Sequence, residues 1–228
     1  MRGKVALVTG GTRGIGAAIV RAFREAGATA VACSRSAKGP GTVRGDVGKD
    51  AERIVGEVVR RHGRLDVLVN NAGVSDPAAW KAGLDAVTPA MWDRILRTDL
   101  WGTFACARAA ARAMRKGGKI LNVASIPALV GDRDGLVYSV AKAGVIGLTK
   151  SLAVLLAPRI QVNAMAFGSI ETGWVDWLAP RERRAYARAI PRGRFGKPEE
   201  AAELAVFLAR SDWVTGQTLV LDGGEARV

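Results

Sequence analysis

Val5-Ala6-Leu7-Val8-Thr9-Gly10-Gly11-Thr12-Arg13-Gly14-Ile15-Gly16 is the stretch on which the fold of this chain turns. Its first five residues are a compact apolar and β-branched run, too short for a helix, and read as a strand. Glycines follow at once. An amphipathic segment then runs to Glu25, with Gly27 placed as a C-cap. A strand, a Gly-rich turn and a helix in that order suit a pyrophosphate, because glycines turn the backbone tightly and let the anion approach helix N-terminal amides. The spacing is G-x-x-x-G-x-G rather than G-x-G-x-x-G, and glycines in such turns also serve packing alone. Gly10, Thr12, Arg13, Gly14, Ile15 and Gly16 are thus candidate dinucleotide contacts.

Outward from this turn, strand-like and helix-like segments alternate. Thr29–Cys33 reads as a second strand, and Val43 to Gly45 begins a short third one ending at Asp46. A helix from about Asp50 to His62 leads to a strand over Leu65–Val69. After a loop with Pro77 and Pro89 come a helix from Met91 through about Arg115 and a strand over Lys119–Ala124. Val137–Leu156 is a long helix closed by Pro158, and Ile160–Ala164 is the next strand. Residues 168–197 read as irregular; Pro198 starts a helix, and Thr218–Leu221 is the last strand. Alternation of this kind marks βαβ units. The expected fold class is α/β, a Rossmann-type doubly wound parallel sheet of about seven strands, in a single domain over residues 1–228.

Composition narrows the function. The 228 residues suffice for a sizeable core, and no stretch reads as the ~18 apolar residues of a membrane span. The basic, apolar start enters its Gly-rich turn too soon for a signal peptide, so a soluble, intracellular, cytoplasmic protein is expected. Cys33 and Cys106 match no metal or redox spacing, and the single histidine, His62, ends a helix. A metal site and a Ser-His-Asp triad are therefore not expected. The net charge of +13 comes from 25 Arg and 9 Lys scattered over most helices. No basic run is interleaved with aromatics, so nucleic acid is not the expected partner. A generally cationic surface accounts for the charge, with an acidic carrier or anionic substrate as the alternative.

Two further clusters carry chemistry. Tyr138 and Lys142 lie four apart on a helix and so share a face. An ammonium beside a phenol favours phenolate, making Tyr138 a general acid or base for a carbonyl oxygen. Ser125, at a strand end thirteen residues earlier, could hold the same oxygen. At the end of the second strand stands Ser34, followed by Arg35, where a carboxylate would bind the ribose of NAD and repel a 2′-phosphate. With Arg13 in the Gly-rich turn, two guanidiniums can converge on that phosphate, so NADP(H) is the expected cofactor and NAD(H) the alternative.

TGGTRGIG, Asp46-Val47, Asn70-Asn71-Ala72-Gly73, Ser125, Tyr138-x-x-x-Lys142 and Thr215-Gly216-Gln217…Asp222-Gly223-Gly224 together resemble the successive motifs of the short-chain dehydrogenase/reductase family. The likeness covers essentially the whole chain. It implies that Asp46 and Val47 contact adenine and that Asn71, Ala72 and Gly73 support the cofactor and central sheet. It implies also that Tyr138 moves the proton, Ser125 orients the substrate and Lys142 binds the nicotinamide ribose. Gly168, Ile170 and Thr172 would lie at the nicotinamide. Three features depart from the pattern: Asp99 stands at the usual Asn of a proton relay, Phe167 at a usual Pro, and too few residues separate the second strand from Asp46 for the usual helix.

By the same resemblance residues 168–197 are a substrate lid. Trp174 and Trp177 would admit a hydrophobic substrate there, unless their segment is an amphipathic helix with its aromatics packed inward. The overall pattern is most similar to 3-oxoacyl-acyl-carrier-protein reductases, so a small-molecule or acyl-carrier-bound carbonyl is the implied substrate. Arg115, Lys116 and Arg159 are expected beside the site opening, where they could dock an acidic carrier. Sugar, polyol and secondary-alcohol dehydrogenases share these motifs, and a non-catalytic NADP(H)-sensing regulator is the alternative of another class. A homo-oligomer, tetramer or dimer, is implied through the helices after Leu100 and after Tyr138.

Overall fold

The computed structural model describes residues 1–226 apart from Ser75, Trp174 and Trp177. Seven parallel strands form one sheet: β1 (Val5–Thr9), β2 (Thr29–Ser34), β3 (Thr42–Arg44), β4 (Val67–Asn70), β5 (Gly118–Ser125), β6 (Ile160–Phe167) and β7 (Thr218–Leu221). Their order is β3-β2-β1-β4-β5-β6-β7. The chain thus winds outward from β1 in one direction and from β4 in the other, and a crevice opens at the strands' carboxyl ends between the two halves. The expected α/β doubly wound sheet is what forms.

Both faces of the sheet are covered, which is why the central strands read as unbroken apolar runs. Helices α1 (Gly14–Glu25) and α9 (Pro198–Arg210) cover one face, over Phe23, Leu121, Met165 and Leu208. Helices α2 (Val47–His62), α5 (Gly102–Ala113) and α7 (Leu136–Leu156) cover the other, over Leu7, Ile54, Leu68 and Ile120. The remaining α-helices among the described residues are α3 (Pro77–Trp80), α4 (Pro89–Leu96), α6 (Pro127–Val130) and α8 (Pro180–Ala189).

Several elements differ from the sequence reading. α2 starts at Val47 because the Asp46 carboxylate accepts the Gly48 N–H at 2.9 Å and caps the helix. The helix expected over Met91–Arg115 is broken by a wider π turn over Arg97–Trp101. That extra residue rolls Asp99 into the interior, and such turns recur at functional sites. The region 168–197 is not wholly irregular, since it contains α8. β2 and β3 are joined without a helix, as their spacing required; Gly39 and Gly41, at φ +86° and +73°, make the short return. Finally, α7 is long and apolar enough to cross a membrane, with a mean hydropathy of 1.5. This corrects the expectation that no stretch is; in the fold α7 packs along β5 and β6.

Candidate active site

The Gly-rich turn lies at the carboxyl end of β1, held from the neighbouring strand. Thr9 Oγ1 accepts the Asn71 and Ala72 amides at 3.0 and 3.1 Å, and Asn71 Nδ2 donates to Thr9 O at 2.9 Å. A side chain at Gly16 would collide with Gly10 O and Asn71 Nδ2, so the turn closes only with glycine there. No side chain caps α1 at Arg13, which leaves its N-terminal amides for an anion. A Cβ on Gly14 would sit 3.4 Å from Thr172 Cγ2, so the two expected cofactor walls meet here.

Ser34 ends β2 with its hydroxyl buried and, among the described residues, lacking a hydrogen-bond partner. Arg13 and Arg35 are exposed, as is Arg44, which pairs in register with Ser34 and donates from Nε to Arg35 O at 3.0 Å. An orphaned hydroxyl, uncapped amides and guanidiniums at one rim form a donor set that fits a nucleotide phosphate. Asp46 is spent on its cap, and the Val47 side chain is buried against Gly102.

Ser125, Tyr138, Lys142 and Asp99 come together at the ends of β5 and α7. Ser125 Oγ donates to Phe167 O at 3.3 Å and hydrogen-bonds Tyr138. The Tyr138 ring packs on Trp80 with centroids 5.2 Å apart, and Lys142 Nζ lies 5.4 Å from its centre. Lys142 is buried, donates to Val123 O at 3.0 Å and faces Asp99 Oδ2 at 3.4 Å. Asp99 is fully buried; its Oδ1 accepts the Val74 N–H at 2.9 Å, while Oδ2 has no well-formed hydrogen bond among the described residues. Gly73 is glycine of necessity here, since a Cβ would come within 2.9 Å of Oδ2.

The electrostatics correct one expectation. Burial pushes the Tyr138 phenol up, and Asp99 adds to this; Lys142 and Ser125 oppose the rise without cancelling it. Lys142 lowers the tyrosine as expected, but the net direction is upward. Burial likewise raises Asp99 against the pull of Lys142. For Lys142, burial favours the neutral amine, yet Asp99 and Tyr138 together hold it above the usual ammonium value.

Beyond β6 the chain leaves through Gly168–Thr172 and returns at Gly196, and two bonds close the neck: Glu171 N to Gly196 O at 2.8 Å and Gly196 N to Ser169 O at 3.0 Å. Within the excursion, Val175, Ile190 and Phe195 pack together, with Leu178 against them and Tyr186 stacked on Phe195 at 5.9 Å. Arg183 pairs with Glu171 at 2.6 Å and Arg194 with Glu200 at 2.7 Å, so these arginines brace the segment. The expected substrate contacts Trp174 and Trp177 lie outside the described residues. The Phe167 ring is buried with the core beneath α1 and α9, away from the cleft. Arg115, Lys116 and Arg159 immediately precede β5 and β6, at the end of the sheet opposite Ser125. They do not flank the site, contrary to the sequence reading. Trp80, Arg44 and Glu225 were not anticipated, and only Arg44, two residues before Asp46, had a positional signal.

The chain matches the family model described as "Enoyl-(Acyl carrier protein) reductase" over residues 10–225. It is 39% identical to a 3-oxoacyl-[acyl-carrier-protein] reductase of Thermotoga maritima, with 98% of each chain covered. Among solved structures it is similar to an aldohexose dehydrogenase of Thermoplasma acidophilum (TM-score 0.92, 28% identity, 100% of this chain and 95% of that one). A short-chain dehydrogenase/reductase of Serratia marcescens gives a TM-score of 0.89 at 31% identity, over 99% and 98% of the two chains.

Proposed function

Because the chain belongs to the short-chain dehydrogenase/reductase family, we propose that it is an NADP(H)-dependent enzyme interconverting a carbonyl and a secondary alcohol through Ser125, Tyr138 and Lys142. The observation that carries this reading is the Ser125–Tyr138 hydrogen bond beside the buried Lys142 ammonium, at the end of the strand next to β4. A hydroxyl pair held this way grips one substrate oxygen from two sides. Tyr138 gives that oxygen a proton in reduction and takes it in oxidation, and Ser125 keeps it in line. Lys142 stabilises the phenolate that reduction leaves behind. A bound nicotinamide would supply or accept the hydride. Gly10, Thr12, Arg13, Gly14, Ile15 and Gly16 would hold its pyrophosphate, and Gly168, Ile170 and Thr172 its nicotinamide end.

Arg13 and Arg35, with no carboxylate at Ser34, favour a 2′-phosphate and hence NADP(H) over NAD(H). The acyl-carrier-protein reductase at 39% identity supports a 3-oxoacyl thioester as substrate. The aldohexose dehydrogenase likeness supports a sugar or other secondary alcohol as the second reading. The exposed Trp101 beside the α5–α7 face supports a homo-oligomer. An assay of NADPH and NADH oxidation across β-ketoacyl thioesters, simple ketones and keto-sugars tests the whole. Turnover with a β-ketoacyl thioester and NADPH is expected, with kcat reduced by roughly 10²–10⁴ in Tyr138→Phe. Cofactor binding without turnover on any ketone would instead favour a non-catalytic sensor.

A further inference from the structure

The β6 exit carries a restraint that comes from the far end of the chain. Ser169 donates from its amide to Glu225 Oε2 at 2.7 Å and from Oγ to Oε1 at 2.9 Å, so both carboxylate oxygens close on one residue. Glu225 is itself fixed. Asp222 folds the last turn, accepting the Gly224 and Ala226 amides at its two carboxylate oxygens and the Glu225 amide at its carbonyl. Gly223 and Gly224 pack on Arg192 and Pro191, and Arg192 N donates to Gly223 O. The fit is tight, since a Cβ on Gly168 would come within 2.7 Å of both Glu225 Oε2 and Asp222 Cβ. The lid reaches the same carboxylate: Tyr186 on α8 interacts with Ser169 and Glu225, and its phenol is pushed up by burial and by the charges of Glu225 and Asp132.

We propose that Glu225 is a positioning residue for the nicotinamide end of the site: its carboxylate clamps Ser169 and thereby fixes the backbone from Gly168 to Thr172 against the Gly-rich turn. The inference rests on the dinucleotide reading given above. Phe167 does not lock the backbone before Gly168 as a proline would. The clamp supplies the missing restraint from outside, through two charge-assisted hydrogen bonds, the stronger kind. Because Ser169 also anchors the lid neck through Gly196, Glu225 couples the cofactor seat to lid position.

Binding constants of Glu225→Ala, measured by fluorescence or calorimetry for NADPH and for 2′-phosphoadenosine 5′-diphosphoribose, test this directly. The second probe has the adenosine, 2′-phosphate and pyrophosphate but no nicotinamide. The expected result is a rise of about tenfold in the NADPH Kd, with the truncated probe unchanged within about twofold. Glu225→Gln, which keeps an acceptor for the Ser169 amide, should recover most of the loss. An NADPH Kd equal to wild type in Glu225→Ala overturns the clamp while leaving the cofactor reading intact. Equal weakening of both probes also overturns it, by revealing general loosening. A wild-type protein that binds neither NADPH nor NADH overturns both.

Discussion

Asp66 and Asp99 are both buried carboxylates at the strand ends of the same sheet, yet the two ends of that sheet treat them in opposite ways. Asp66 sits at the amino ends of the strands, just before β4. Its oxygens accept the Val5 amide at 2.8 Å and both arms of Arg64 at 2.8 and 2.6 Å, with Lys4 at 3.5 Å. Burial alone would raise this acid, but the Arg64 fork and the Val5 amide hold it below the ordinary carboxylate range. Asp99 lies at the opposite end. One of its oxygens has a single amide, the other faces Lys142 at 3.4 Å without a well-formed hydrogen bond, and burial leaves the acid raised. A satisfied buried charge stitches strands together. An unsatisfied one stores electrostatic free energy in which neighbouring protons share.

The contrast breaks most sharply on removal. Asp66→Ala leaves Arg64 and the Val5 amide without their partner and should cost about 3 kcal/mol, the low end for such a deletion because Arg64 is half-exposed. For a chain of this size that lowers Tm by roughly 6–12 °C. Thermal unfolding reads the loss, while kcat/KM of the folded fraction should match wild type. A fall in kcat/KM at unchanged Tm would reverse the roles assigned to the two acids.

Asp99→Asn is the complementary change and should act on protons more than on stability. The carboxylate raises both Lys142 and Tyr138, so deleting its charge lowers both. Tyr138 serves as base when deprotonated and as acid when protonated. The rising limb for alcohol oxidation and the falling limb for carbonyl reduction should therefore both move to lower pH. Stability changes in a defined direction too. A raised folded pKa means the folded state binds more protons than the unfolded one above about pH 3.9, so wild-type stability falls as pH climbs towards the folded value. Asp99→Asn removes that fall. A pH–rate profile superimposable on wild type would show that the Asp99 charge does not reach the tyrosine.

What the sequence revealed of this contrast follows from how local each signal is. The β1 turn and the Tyr138–Lys142 spacing are short-range patterns, so strand, helix and shared face could be read from adjacent residues. The absent helix between β2 and β3 was legible from chain length alone. The burial of Asp99 was not, because it depends on the π turn over Arg97–Trp101, which inserts a residue into one turn and rotates the helix face there. Glu225 drew no reading from the sequence, because its contact with Ser169 spans 56 positions and has no local signature. Arg115, Lys116 and Arg159 were misplaced for a simpler reason. Residues that precede a parallel strand lie at its amino end, and the candidate site lies at the carboxyl ends.

The smallest expected effect concerns geometry at constant charge. Arg64→Lys keeps the positive charge beside Asp66 but replaces a two-pronged fork with a single ammonium, and should cost less than about 1 kcal/mol. Its pH dependence identifies the source. The folded pKa of Asp66 is depressed, so its contribution is fully present above the unfolded value of about 3.9 and is lost as pH falls through the folded one. Weakening the fork raises the folded pKa towards the unfolded value and shrinks that contribution. Urea unfolding at pH 7, 5, 4 and 3, chosen around the unfolded pKa of ~3.9, should then show a constant gap between wild type and Arg64→Lys down to about pH 5. Below about pH 4 the gap closes, because a protonated Asp66 no longer distinguishes guanidinium from ammonium. A gap that persists undiminished into acid would locate the loss in packing of the Arg64 stem rather than in the ion pair, and Asp66 would then owe its low pKa chiefly to the Val5 amide and Lys4.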